Sequence, residues 1–165
     1  MSELDRTDLF QKKAKVNQIR NGIYIFISYF RDKLNKSVDE TREVLRKMGK
    51  NIAKSFYKYW KPKNDENPLK IMREIHREVF KISAKVREKD EYIVVINRSC
   101  PFCKYERGVD LAGCEIIVGF IVEYFNLLAA DGEYTVPKLE GKVTKSKIFD
   151  DKYCQNVYKI IEGGI

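Results

Sequence analysis

The chain reads as an α+β protein in which helices come first and pack on an antiparallel sheet. Three observations predict this. Apolar residues recur at spacings of three and four through the first half, as a helix buried on one side requires. Residues 92–96, Tyr-Ile-Val-Val-Ile, are apolar and mostly β-branched, which suits a strand covered on both faces. From there the order of elements is strand, helix, strand, strand. With 165 residues, 44% of them hydrophobic, the chain is expected to form one domain over residues 1–165. A domain of this size buries roughly 70% of the surface its unfolded chain exposes, so it needs no staple merely to fold. Within it, residues 1–90 form a helical, basic part and residues 91–165 a strand–helix–strand–strand part.

Asn21-Gly22 is read as the start of a helix through Ile23, Phe26, Ile27, Phe30 and Leu34, and Ser37 or Asp39 is placed to cap the next. That second helix, residues 38–60, carries Leu45, Met48, Ile52, Phe56 and Tyr59 as one apolar face and ends at Lys61-Pro62. Asn67-Pro68 opens a third, in which Ile71, Met72, Ile75 and Val79 point inward and His76, the only histidine, sits at the flank as a partly exposed residue. After the strand at 92–96, residues 113–130 form a helix with almost no polar side, which must be enclosed by the rest of the protein or by a second subunit. Gly119 interrupts it at a cost of about 1 kcal/mol relative to Ala. Something therefore approaches closely there, a neighbouring element or a bound apolar molecule. Residues 134–143 and 153–161 are the closing strands, around a turn at Asp150-Asp151.

Charge and sulfur divide the chain. Residues 1–90 hold 23 basic and 13 acidic residues, whereas residues 91–165 hold 9 and 11. Arg42, Arg46, Lys50, Lys54 and Lys58 lie four apart and wind as a ridge along the second helix, which is either a solvated face or a grip for phosphates. All four cysteines, Cys100, Cys103, Cys114 and Cys154, are in the second half. Their pattern, C-x2-C-x10-C-x39-C, is not that of a standard zinc finger, yet a Cys-Pro-Phe-Cys turn supplies two corners of a zinc tetrahedron and Cys114 and Cys154 the other two. Cys114 would sit at a helix start, where the dipole favours a thiolate, and Cys154 on the last strand, on the face of Asn156 and Tyr158. Such a site carries a net charge of −2, which Lys104, Arg107 and Lys152 partly offset. Closed by four protein ligands, it is structural, with no position for an activated water. A redox pair, inert thiols and iron–sulfur ligation use the same atoms. The first residues lack the order of a secretory signal, and no apolar run reaches the roughly 20 residues of a bilayer span, so a cytoplasmic location is expected.

Residues 93–161 resemble the four-vinyl-reductase domain family: a strand leading to Cys-Pro-Phe-Cys, Gly113-Cys114 opening an apolar helix with an internal Gly119, then two strands with the late Cys154. Residues 43–53 resemble the helix that precedes them in that family. The resemblance implies a small-molecule or hydrocarbon-binding domain that shares its fold with subunits of the TRAPP vesicle-tethering complex and with nitric-oxide-signalling haem domains, and that pairs through helices. In relatives that sense aromatic compounds, a zinc site lies near the ligand pocket. Cys114 and Cys154 match family cysteines. Where some relatives have further acidic and thiol ligands, this chain has Val143 and Ser146, so that Cys100 and Cys103 would complete the set.

The expected function is thus the binding of a small apolar ligand beside the Gly119 helix, in a sensory or carrier role, with a structural zinc. The chain is expected to form a homodimer, with residues 23–30 as the candidate surface. The alternatives are an accessory subunit that presents a vinyl group or other double bond for reduction by a partner, and a nucleic-acid-associated regulator using the Arg42–Lys58 ridge.

Overall fold

A computed structural model describes residues 3–63, 66–105 and 108–161, with residues 3–7 contributing helical backbone alone. Helix α1 (Glu3–Ser28) passes into a π-helical turn (Tyr29–Lys33) and is followed by α2 (Val38–Tyr57), α3 (Pro68–Glu78), strands β1 (Lys85–Lys89) and β2 (Tyr92–Asn97), helix α4 (Glu115–Asp131), β3 (Lys138–Lys145), a 3-10 turn (Lys147–Phe149) and β4 (Cys154–Ile161). The four strands form one sheet in the order β1-β2-β4-β3, every pair antiparallel. The α+β class expected from the sequence is the one observed.

Local chemistry sets the helix boundaries. Ser37 and Glu40 form a reciprocal capping box at α2: the Ser37 hydroxyl accepts from the Glu40 amide at 3.1 Å and the Glu40 carboxylate from the Ser37 amide at 2.8 Å. Asn67 caps α3 with Pro68 in its first turn, and Gly132 ends α4 in the left-handed conformation at φ 77°. The first helix departs from expectation. It begins far upstream and runs through Asn21-Gly22, because Ile23, Tyr24 and Ile27, 9%, 5% and 0% exposed, are anchored in the core and hold the turn around the glycine. Strand β1, Lys-Val-Arg-Glu-Lys, has no strand signature in the sequence because only Val86 faces inward. It is an edge strand blunted by charge, joined to β2 through Asp90 at φ 53°. The closing strands begin later than expected, at Lys138 and Cys154.

The buried face of α2 also differs. Thr41, Leu45, Gly49 and Ala53 are buried, whereas Met48, Ile52 and Tyr59 are 36%, 47% and 86% exposed. The reason is α4. A Cβ placed on Gly119 would stand 2.1 Å from the Arg46 carbonyl oxygen, and one on Gly49 would stand 2.0 Å from that of Ile116. The two helices touch backbone to backbone, and this rotates α2 so that its small residues face inward. What approaches Gly119 is therefore a neighbouring helix. The apolar core face of α4 is enclosed by this chain itself: Ile117, Val118, Phe120, Ile121, Phe125 and Leu128 are at most 1% exposed, while Asn126 and Ala130 face outward.

The basic ridge is largely engaged in holding these helices. Arg42 and Arg46 reach Glu115, which is buried at the start of α4, at 3.2 and 2.8 Å, and Lys54 pairs with Glu123 at 3.4 Å. A phosphate grip by these three side chains would have to displace those carboxylates. His76 is not at a solvated flank but 1% exposed. Its Nδ1 donates to the Met72 carbonyl at 2.7 Å and its ring lies 5.8 Å from that of Phe80. Burial lowers its pKa to about 4, so it is a neutral core residue.

Candidate metal centre

Three elements converge on the cysteines. Strand β2 pairs with β4 so that Asn97 stands opposite Cys154, and the chain leaving β2 therefore carries Cys100 and Cys103 back over the end of β4. Cys114 is the cap residue of α4: its carbonyl accepts from the Ile117 and Val118 amides at 3.0 and 3.2 Å, while its thiol makes no capping hydrogen bond. Cys154, Asn156 and Tyr158 share the buried face of β4, as the alternation predicts.

The four sulfurs lie within 4.8 Å of one another. All are free thiols, at most 4% exposed. Ideal tetrahedral zinc–sulfur bonds of about 2.3 Å place sulfurs roughly 3.8 Å apart, so a dication is accommodated by closing the cluster by about 1 Å. The donor set of four thiolates suits a soft or borderline ion and leaves no vacant position. Packed this closely, the thiols share protons: a hydrogen bond from Cys100 lowers Cys103 and Cys154 below the usual thiol range, while Cys100 and Cys114 are raised. A bound cation would favour the thiolate form of all four.

The surroundings add three residues. The Tyr24 hydroxyl donates to Cys103 Sγ at 3.4 Å and accepts from the Gly113 amide at 3.2 Å, tying α1 to the site and to the turn before α4. Burial, then the neighbouring Cys103, raises the Tyr24 pKa and keeps this phenol protonated. Ser146 lies with Oγ 3.7 Å from Cys154 Sγ, while its amide donates to Asp151 at 2.9 Å. Arg20, 5% exposed, donates through Nε to the Pro101 carbonyl within the Cys-Pro-Phe-Cys turn, at 3.0 Å. Such contacts orient the sulfurs and blunt their charge. Nothing in the sequence links Tyr24 and Arg20 to the cysteine turn, from which both lie about 80 residues away; their four-residue spacing puts them on one face of α1.

The remaining expectations divide. Val143 is half-buried on β3 and Ser146 meets Cys154 only through its hydroxyl. Lys104 and Lys152 are exposed and Arg107 lies outside the described residues. A thioredoxin-like pair would open a helix, but Lys104 and Tyr105, which follow Cys103, are not helical. No described helix is long and apolar enough to cross a membrane.

No family model and no curated protein matches the chain. Among solved structures it is similar to the crystal structure of a trafficking protein particle complex subunit 3 from Naegleria fowleri covalently bound to palmitic acid, with 14% sequence identity and a TM-score of 0.69, over 93% of this chain and 99% of that one. The chain has the α+β fold of that trafficking-complex subunit.

Proposed function

We propose that this protein is a binding module in which a structural zinc, held by Cys100, Cys103, Cys114 and Cys154, pins α4 to the end of the sheet, and that its ligand is a small hydrophobic molecule. The observation that carries the metal assignment is the convergence of four buried sulfurs from three separate elements. Unpaired thiols brought together without an ion would gain only weak hydrogen bonds, whereas four zinc–thiolate bonds contribute folding free energy directly. With every coordination position taken by protein, the site supports structure and not catalysis.

The hydrophobic-ligand reading is supported by the fold, whose trafficking-complex counterpart carries palmitic acid. In this chain the place to seek a ligand is the aromatic cluster between α2, α3 and α4. There Phe120 stacks on Tyr124 at 5.3 Å and meets Phe80 at 5.0 Å and Phe56 at 6.3 Å. Rings that touch edge-on part at modest cost, since each aromatic contact is worth about 1 kcal/mol beyond its burial. The reading extends to a cytoplasmic location, where thiols stay reduced, and to two-fold pairing. Ile23, Tyr24 and Ile27 of the expected pairing run are turned into the core, but Ile25 and Tyr29, 70% and 52% exposed, remain available to a second copy.

Native mass spectrometry of freshly purified protein tests these points together. The expected result is one zinc per chain, a dimer mass and a retained apolar adduct. A chain holding far less than one zinc, with melting unchanged by a chelator, would overturn the metal assignment. A metal-loaded chain that neither retains nor takes up fatty acid would overturn the ligand.

A further inference from the structure

Beside the cysteine cluster lies an open cleft of about 550 Å³ whose lining includes Lys12, Lys13 and Arg20 from α1, Arg98 and Lys104 from either side of the Cys-Pro-Phe-Cys turn, Lys147 from the 3-10 turn, and Cys100 and Cys103, with no carboxylate in its wall among the described residues. Its volume is within the usual range of small-ligand sites. We infer that this cleft binds a phosphate-bearing anion.

Three observations support it. First, the cations are unmatched: among the described residues none of the six takes part in an ion pair, although eleven such pairs occur elsewhere. Second, the surplus survives the cysteine site. Four thiolates around a dication carry a net −2, which leaves about four positive charges uncompensated, and protonated thiols leave all six. Third, one cation is built in. Arg20 is 5% exposed, clamped by the Asn17 side chain at 2.8 Å and the Pro101 carbonyl at 3.0 Å, both uncharged. A guanidinium buried without a counter-charge is costly unless an anion completes it, and its fork matches phosphate oxygens. Lys147 is likewise held, donating to the Arg98 carbonyl at 2.5 Å, so the far wall is also positioned. The inference uses charge and shape around the cysteines and stands whether or not the apolar ligand exists.

A phosphate group on a soluble molecule and one on a lipid head share this chemistry, and titration separates them. The probes are inorganic diphosphate by calorimetry, and vesicles of phosphatidylcholine with and without phosphatidic acid by co-sedimentation. The variant is Lys12→Gln/Lys13→Gln/Arg98→Gln, which spares the structural Arg20. A control of equal charge, Lys47→Gln/Lys50→Gln/Lys58→Gln, alters the outer side of α2. At about fivefold per cation, the cleft variant should weaken binding by about a hundredfold and the control by little. Loss of diphosphate and vesicle binding together identifies a lipid phosphate, and loss of diphosphate binding alone identifies a soluble one. Either outcome supports the site. Equal weakening in both variants, absence of binding to both probes, or tighter binding to a single-stranded oligonucleotide than to diphosphate overturns it. Zinc content and melting of the same samples report separately on the metal assignment and on folding.

Discussion

Gly119→Ala is the sharpest perturbation of this fold. The added methyl would stand 2.1 Å from the Arg46 carbonyl oxygen, 2.6 Å from its Cα and 2.7 Å from its carbonyl carbon, all backbone atoms that no rotamer change can move. Restoring an ordinary contact of about 3.4 Å requires α2 and α4 to separate by roughly 1.3 Å. A radial gap of even 0.5–1 Å forfeits about a quarter to a half of each dispersion contact, and this is the largest helix–helix interface of the molecule. Against that, Ala gains about 1 kcal/mol in helix propensity over Gly. Overpacking typically costs about 1–3 kcal/mol, and backbone against backbone belongs at the top of that range or beyond, so a net loss of about 2–3 kcal/mol is expected, a fall in Tm of roughly 6–10 °C. Gly22→Ala is the control. Its Cβ would meet nothing within 4 Å in the middle of α1, so it should gain up to about 1 kcal/mol. Urea denaturation of both variants is the assay. If Gly119→Ala is as stable as the parent, the helices are not in backbone contact and the account of α2 given above is wrong.

Other consequences are open to direct measurement. Cys154→Ser removes one thiolate from the cluster, and it should lower bound zinc well below one per chain and destabilise the protein by several kcal/mol, with no further loss on adding chelator. Tyr24→Phe deletes the donor to Cys103 and strands the Gly113 amide, costing about 1–3 kcal/mol and weakening metal affinity about 10–100-fold in a competition titration. Because the His76 pKa falls from 6.5 unfolded to about 4 folded, unfolded chains bind a proton first as pH drops. Stability is intact above pH 6.5 and declines toward pH 4, by about 3 kcal/mol in all. His76→Leu should flatten that window in denaturation at pH 7 and pH 5. Glu115→Gln should cost about 2 kcal/mol, less than a fully enclosed pair, since Arg42 and Arg46 keep 31% and 22% of their side-chain surface in water. A double-mutant cycle with Arg46→Met should recover a coupling of about 1 kcal/mol, and a coupling near zero would remove the clamp.

The amino-acid order alone determined what is local or periodic. The capping box at Ser37, the Asn67-Pro68 start, the enclosure of an apolar α4 and the alternation that turns Cys154 inward all follow from dihedral preferences and from spacings of two or 3.6 residues, which neighbours along the chain satisfy by themselves. The four cysteines were legible as a candidate set because thiols are few and chemically distinctive. Tertiary structure decided the rest. Which side of α2 is buried depends on how near α4 can come, and glycines set that distance by having no side chain. Whether His76 is wet, whether Arg42 and Arg46 are free, and which residues stand behind the sulfurs depend on elements tens of residues away. Burial and Coulomb attraction act through space, and helical or strand periodicity carries no record of what lies across it.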